Sequence, residues 1–300
     1  MDSTRTPLHR EEMNVYGVPF LGTEALAAGA VNKHQLRTRY RSVFPGVYVE
    51  PDLELTLQQR AKAAWLWSGR EAVIAGLAAS ALHGAEWIDG QAPVELIWSN
   101  ARPPQGIRTR RDRLAVGEVM SLTGMRVTTP VRTAFDLGRL IRGDEGIERL
   151  DALGQVARFS AADVEAVADR HRGSPGAPRL RRALEAYDPG AESPRETWLR
   201  LLLVRAGYPR PRTQIPVCDE TGRPIYFLDM GWEDVKIAVE YDGDQHRERR
   251  RWGKDIVRSE YLAHRRWRHI RVVAGNRPAD VLNRVRRAWA ASVRGDREIA

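Results

Sequence analysis

The chain has 300 residues, 42% of them hydrophobic, and carries 48 Lys and Arg against 39 Asp and Glu for a net charge of +9. That length is a prior for two or three domains, and that apolar content excludes a disordered tail protein. The single cysteine, Cys218, excludes an intramolecular disulfide and any multi-cysteine zinc or iron–sulfur site, and it fits a reducing compartment.

The most apolar stretch, residues 72–82, is about half the length that crosses a bilayer, and residues 1–10 are charged with no apolar signal core. The expectation is a soluble, cytoplasmic protein with no membrane partner. The first structured part is predicted over residues 16–51. Residues 23–29 read as a short helix ended by Gly29, and Asn32 is placed to cap a second helix over 33–40. Val43-Phe44-Pro45-Gly46-Val47-Tyr48-Val49 reads as two short β runs around a Pro-Gly turn. Helix, turn, helix, β-wing is the winged-helix order. The second helix carries Lys33, His34, Gln35, Arg37 and Arg39, and Arg41 enters the wing. Such a helix can lie in a major groove, with cations on phosphates and Gln or Arg on base edges. A small helical cap with a solvated basic face is the competing reading.

The second part spans residues 53–187. Helices are predicted over 57–68, with Thr56 as cap, and over 71–83. Strands are predicted over 93–98 and 125–128. Thr129-Pro130 then opens a helix over 131–140, and another helix is predicted over 163–172. No catalytic pattern stands out. His83 reads as a structural residue rather than a ligand. The run Arg108-Thr109-Arg110-Arg111-Asp112-Arg113 reads as a solvated loop or edge strand, with phosphate contact as the alternative. Two Gly/Pro clusters, at 173–178 and 188–190, act as breakers and set the last boundary near Gly190.

The third part holds the charge. Residues 191–300 contain 23 Arg and Lys against 16 Asp and Glu, a net +7, which leaves +2 for the first 190 residues. A basic excess concentrated in this way points to a polyanionic partner. Nearly all of it is Arg, with Lys only at Lys33, Lys62, Lys236 and Lys254. A GC-rich genome writes Arg by default, so position carries more than total. Helices are predicted over 194–206, 250–265 and 279–293, and strands over 213–217, 225–230, 235–241 and 267–273. The order is α-β-β-β-α-β-α. Strands one to three form a meander, and the long helix crosses over to bring in the fourth.

Carboxylates gather on this frame. Asp229 ends the second strand, Glu240 lies on the third, and Asp242 follows two residues later, on the same side if the strand continues. Three converging carboxylates are stable together only if protonated or if a cation sits among them, and oxygen ligands in that number suit Mg²⁺ or Mn²⁺ rather than zinc. The bland alternative is a turn at Asp242-Gly243 and a solvated Glu240, but Ile237-Ala238-Val239 ahead of them reads as a buried strand. His246 follows four residues after Asp242, Asp255 and Arg258 sit one turn apart on the next helix, and Glu196 on the first helix is in reach of the same cluster.

Leu228-Asp229, then Val239-Glu240-Tyr241-Asp242-Gly243-Asp244-Gln245-His246, then Asp255-Ile256-Val257-Arg258 and Trp267-Arg268-His269-Ile270-Arg271-Val272 resemble a Vsr-like endonuclease domain, a branch of the PD-(D/E)XK restriction-endonuclease-like superfamily. Glu192-Ser193-Pro194-Arg195-Glu196 resembles the start of that domain, and the resemblance covers roughly residues 191–295. It implies a metal-dependent phosphodiesterase. Asp229 matches the motif Asp and Glu240 the (D/E), both binding Mg²⁺ or Mn²⁺ with the backbone carbonyl of Tyr241. The superfamily's Lys position falls on Asp242, which is expected to serve as a further metal ligand or a base. His246 is expected to activate water or protonate the leaving oxygen. Glu196 matches an accessory acidic position, and Asp255 either orients His246, binds Arg258 or is a plain helix residue. Arg247, Arg249, Arg250, Arg251, Lys254 and Arg258 are placed to hold a DNA backbone, with Arg265, Arg266 and Arg268 behind them. Trp252 is a candidate for stacking on bases, and Trp267 reads better as core.

The N-terminal run Arg41-Ser42-Val43-Phe44-Pro45-Gly46-Val47-Tyr48 resembles the winged helix of AbiEi-type antitoxins, which implies DNA binding and transcriptional self-repression. The combined expectation is a mixed α/β chain in three parts: a winged-helix-like DNA-binding segment at 1–52, an α/β middle domain at 53–190, and a restriction-endonuclease-like αβββαβ core at 191–300. The expected function is metal-dependent cleavage or nicking of duplex DNA, in a setting of DNA repair or phage defence. A non-catalytic regulator with a degenerate nuclease domain and an RNA-directed nuclease are the competitors, and a winged helix, which prefers duplex DNA, disfavours the second.

Overall fold

The computed structural model describes residues 17–100, 102–243 and 252–299, with the side chains of 252–255 and 293–299 outside the description. The chain is mixed α/β and divides into two compact units, residues 1–136 and 137–300. The segment expected as a middle domain at 53–190 is therefore shared between the two units. No helix among the described residues is long and apolar enough to cross a membrane.

In the first unit, β1 (Phe20–Leu21), α1 (Gly22–Ala27), α2 (Lys33–Arg39), β2 (Arg41–Phe44) and β3 (Val47–Val49) follow the expected order. The strands pair antiparallel in the order β1-β3-β2. Asn32 caps α2 in a capping box with Gln35, each side chain accepting from the other's backbone N–H. Phe20, Ala25, Val31 and Leu36 close a small core beneath these helices. Gly46, with φ +80°, makes the tight turn between β2 and β3.

A five-stranded sheet follows, built from β4 (Val73–Ala75), β5 (Val94–Ile97), β6 (Ile107–Arg110), β7 (Val119–Leu122) and β8 (Met125–Thr128) in the order β6-β5-β4-β8-β7. The helices α3 (Leu57–Trp67) and α4 (Gly76–Leu82) bury their apolar faces in its core. The single helix predicted over 71–83 is corrected here. Val73-Ile74-Ala75 forms the central strand, and the helix starts only at Gly76, whose φ of +59° turns the chain. A short run that is apolar on all sides fits a buried strand and a buried helix equally, so period alone could not separate them. Strand β6 sits at the sheet edge, the edge-strand reading of the basic run. Arg110 and Arg132 are drawn inward by carboxylates: Arg110 lies 3.1 Å from Asp136, and Arg132 lies 2.5 Å from Glu118.

Helix α5 (Pro130–Leu140) runs across the unit boundary. The second unit continues with α6 (Asp144–Ala157), α7 (Ala161–Arg170), α8 (Ala177–Ala186) and α9 (Pro194–Arg205). The cluster at 173–178, read as a breaker, starts α8: Gly176 takes the left-handed N-cap position and Pro178 falls in the first turn, where its missing N–H costs nothing. Asp151 of α6 is 1% exposed and accepts from Arg200 (2.6 Å) and Thr197 (2.8 Å) on α9.

The remaining elements are β9 (Arg212–Cys218), β10 (Pro224–Trp232), β11 (Ile237–Asp242), α10 (Trp252–His264), β12 (Arg268–Val273) and α11 (Pro278–Ile299). The sheet order is β12-β11-β10-β9, antiparallel through the meander and parallel between β11 and β12. Leu199, Leu203, Met230, Val239, Val272 and Val281 pack one face against α9 and α11. Ile215, Leu228, Ala238, Leu262 and Trp267 pack the other against α10. Trp267 is a core residue, with the Lys236 Nζ 4.9 Å from its ring centre.

Candidate functional site: a carboxylate cluster at the parting of two strands

Strands β10 and β11 pair at Trp232/Ile237, Gly231/Ala238 and Met230/Val239, and there the ladder ends. Beyond that point β11 continues beside β12, with Glu240 opposite Arg271 and Asp242 opposite Val273. Asp229 stands at the parting. Its Oδ2 accepts the backbone N–H of Tyr241 at 2.8 Å, so a side chain takes over where the ladder stops.

Glu240 is 7% exposed and both of its oxygens are engaged. Arg258 of α10 donates from Nη2 to Oε1 at 2.5 Å, and His269 of β12 meets Oε2 with Nε2 at 2.5 Å. The same Arg258 nitrogen donates to the Phe227 carbonyl at 2.8 Å, and the guanidinium lies 5.5 Å from the Tyr226 ring centre. Glu196 enters from the first turn of α9. Ser193 caps that helix and donates to Glu196 Oε1 at 2.9 Å, while the Glu192 N–H donates to Oε2 at 2.8 Å.

Burial, then the charges of Glu196 and Glu240, push Asp229 up to about 7, against the opposing pull of the Tyr241 N–H and Arg258. Burial raises Glu196 as well, against the hydrogen bonds from the Glu192 N–H and the Ser193 hydroxyl, with the charges of Glu192 and Glu240 adding to the rise. Glu196, Asp229 and Glu240, from three separate elements, thus feel one another's charge. Asp242 is engaged by Arg271 at 2.7 Å.

Other residues singled out in the sequence fall elsewhere. His246, Arg247, Arg249, Arg250 and Arg251 lie outside the described residues, and Trp252, Lys254 and Asp255 lie on α10 with side chains outside the description. Arg265 donates to the Cys218 carbonyl and the Tyr261 hydroxyl, and Arg268 donates to the Ser292 hydroxyl. On α2, Lys33, His34, Arg37 and Arg39 are exposed, whereas Gln35 is used in the capping box and Arg41 donates to the carbonyls of Pro51 and Leu53. His83 donates from Nε2 to the Thr128 carbonyl at 2.8 Å, and burial lowers its pKa, which makes it a neutral structural donor. His269 is the residue that sequence reading missed. A strand histidine has no signature of its own; the one available signal was its alternation with the buried Ile270 and Val272, which puts it on the Glu240 face.

Two relatives, both uncharacterized proteins from strains of Mycobacterium tuberculosis, are each 26% identical over 222 residues, covering 71% of this chain and 80% of theirs. No family model and no solved structure matches the chain.

The donor set of the cluster is all oxygen, the preference of a hard cation such as Mg²⁺ or Mn²⁺, and its mutual repulsion is what such a cation relieves. Among the described residues, no three His, Cys, Asp or Glu side chains are already grouped to hold an ion. Arg258 and His269 each engage one oxygen of Glu240, so an ion bound there has to share the carboxylate with them or displace one of them.

Proposed function

We propose that the chain is a metal-dependent endodeoxyribonuclease that nicks or cleaves duplex DNA, with a restriction-endonuclease-like core at 191–300 and a winged helix at its N-terminal end. The observation that carries this reading is the cluster of Glu196, Asp229 and Glu240, on a frame of order α9-β9-β10-β11-α10-β12-α11. Its resemblance to Vsr-like endonucleases rests on the same residues.

In this reading Asp229 and Glu240 hold Mg²⁺ or Mn²⁺ with the Tyr241 carbonyl, and Asp242 adds a carboxylate beside them. The ion supplies charge for the phosphodiester oxygens and lowers the pKa of a bound water. Glu196 adds negative charge that strengthens cation binding. His246 exchanges the proton with water or with the leaving oxygen. Arg258, Arg247, Arg250, Arg251 and Lys254 hold the phosphate backbone, and Lys33, His34, Arg37 and Arg39 of α2 bind the duplex for targeting.

A second reading is favoured by the pairing of the carboxylates: Glu240 is ion-paired with Arg258 and hydrogen-bonded to His269, and Asp242, at the motif's Lys position, is paired with Arg271. It describes a DNA-binding regulator whose nuclease domain is a scaffold. An end-labelled duplex incubated with Mg²⁺, Mn²⁺ or EDTA separates the two. The nuclease reading expects metal-dependent scission that the Asp229→Ala/Glu240→Ala double variant abolishes. Tight binding without scission by either protein points to the regulator.

A further inference from the structure

Arg258 holds Glu240 in an unusual way. An arginine kept for a carboxylate alone uses its fork, with two nitrogens on two oxygens. Here one nitrogen, Nη2, serves both Glu240 Oε1 and the Phe227 carbonyl. Its Nε is buried and has no hydrogen-bond partner among the described residues. The side chain is still 30% exposed, and its guanidinium lies over the Tyr226 ring. An orphaned buried N–H weakens a pair, and a guanidinium in contact with solvent has somewhere to go. A divalent cation at Glu240 and this guanidinium would compete for the same carboxylate.

We propose that Arg258 is an exchangeable internal counter-ion. It neutralises Glu240 in the ion-free protein, yields the carboxylate when Mg²⁺ or Mn²⁺ binds, and then offers its guanidinium to a phosphate oxygen of the bound duplex. The inference rests on the proposed metal-dependent function and adds a regulation to it. Because one side chain serves both ligands, the cation and the duplex favour each other's binding, and the coupling is reciprocal. Without DNA the arginine competes with the cation. With DNA it has a second acceptor, so loading of the site is biased towards the DNA-bound protein.

The test is a Mn²⁺ titration of the full chain in the absence of DNA, read by the electron paramagnetic resonance of free Mn²⁺. Wild type, Arg258→Gln and Arg195→Gln are compared. Arg195 is an exposed cation beside the site, 6.0 Å from the Tyr241 ring centre, and removing it costs the same charge. Arg258→Gln is expected to bind Mn²⁺ about tenfold more tightly than wild type, in the usual range of a coupling between two sites, and Arg195→Gln about as wild type does. His269→Ala, which frees the other oxygen of Glu240, is expected to tighten Mn²⁺ binding too and keeps the test open if Arg258→Gln folds poorly. On a phosphorothioate duplex that resists cleavage, Mn²⁺ is expected to raise the affinity of wild type and not of Arg258→Gln. Equal Mn²⁺ affinity in wild type, Arg258→Gln and His269→Ala overturns the counter-ion role alone. No Mn²⁺ binding by any of these proteins overturns the proposed function and this inference with it.

Discussion

Asp229 is where the cost of the cluster is concentrated. Its folded pKa of about 7 stands above the ordinary 3.8 because burial and two neighbouring carboxylates disfavour its charge. The folded chain therefore keeps a proton that the unfolded chain has released as pH rises from about 4 to 7. Stability from this group is full below that window and is lost as pH climbs through it. Asp229→Asn, which keeps an acceptor for the Tyr241 N–H, is expected to match wild type at pH 4 and to be more stable by roughly 1 kcal/mol at pH 8 in EDTA, the ordinary size of a single-site effect. Melting curves across that range check this, and a difference that does not change with pH would contradict it. The carboxylates themselves were legible in the sequence, because strand ends and helix starts place side chains by simple counting. The partners of Glu240 were not. Whether Arg258 and His269 point at a carboxylate is decided by strand pairing and helix packing far from either residue in sequence.

Ser193 and Pro194 announce the start of α9, and the cap brings Glu196 to the cluster. Caps and meander turns were readable for this reason: each uses a few adjacent residues with specific backbone needs. Strand β4 and helices α6 and α8 were not, since a short buried run has no distinctive period and glycine at a helix start looks like a stop. The hold of α6 on α9 was equally hidden. Asp151 and Arg200 are both 1% exposed, and burial pushes Asp151 up to about 6 despite the arginine and the Thr197 and Asp188 donors. Removing one partner leaves the other charge buried alone, so Asp151→Ala or Arg200→Ala is expected to cost about 3–5 kcal/mol. The double variant Asp151→Leu/Arg200→Met is expected to cost clearly less than the two single losses together. Denaturant unfolding measures this, and strict additivity would show that the pair is not a unit.

At the scale of the whole chain, the last third holds +7 of the +9 net charge, while α2 in the other unit exposes a smaller basic set. The proposed division of labour is targeting by α2 and chemistry by the carboxylate cluster. Lys33→Glu/Arg37→Glu is then expected to weaken duplex binding and to lower the slope of log affinity against log salt by about 2, one for each lost phosphate contact, while leaving Mn²⁺ binding unchanged. Fluorescence anisotropy over a salt series checks it, and an unchanged slope would remove α2 from the interface. The mixed α/β class and the element order of the last third were readable, because they follow from local patterns. The partition into units at 136/137 was not, because it depends on long-range packing such as the Asp151–Arg200 pair. Asp229 and Glu240 are proposed to carry phosphodiester hydrolysis. This role is tested most directly on supercoiled plasmid in Mg²⁺, Mn²⁺ and EDTA, with wild type beside Asp229→Ala/Glu240→Ala. Relaxed or linear product is expected with wild type and metal only. Product formation by the double variant, or none by wild type on plasmid, mismatched, flapped and single-stranded DNA, would contradict it.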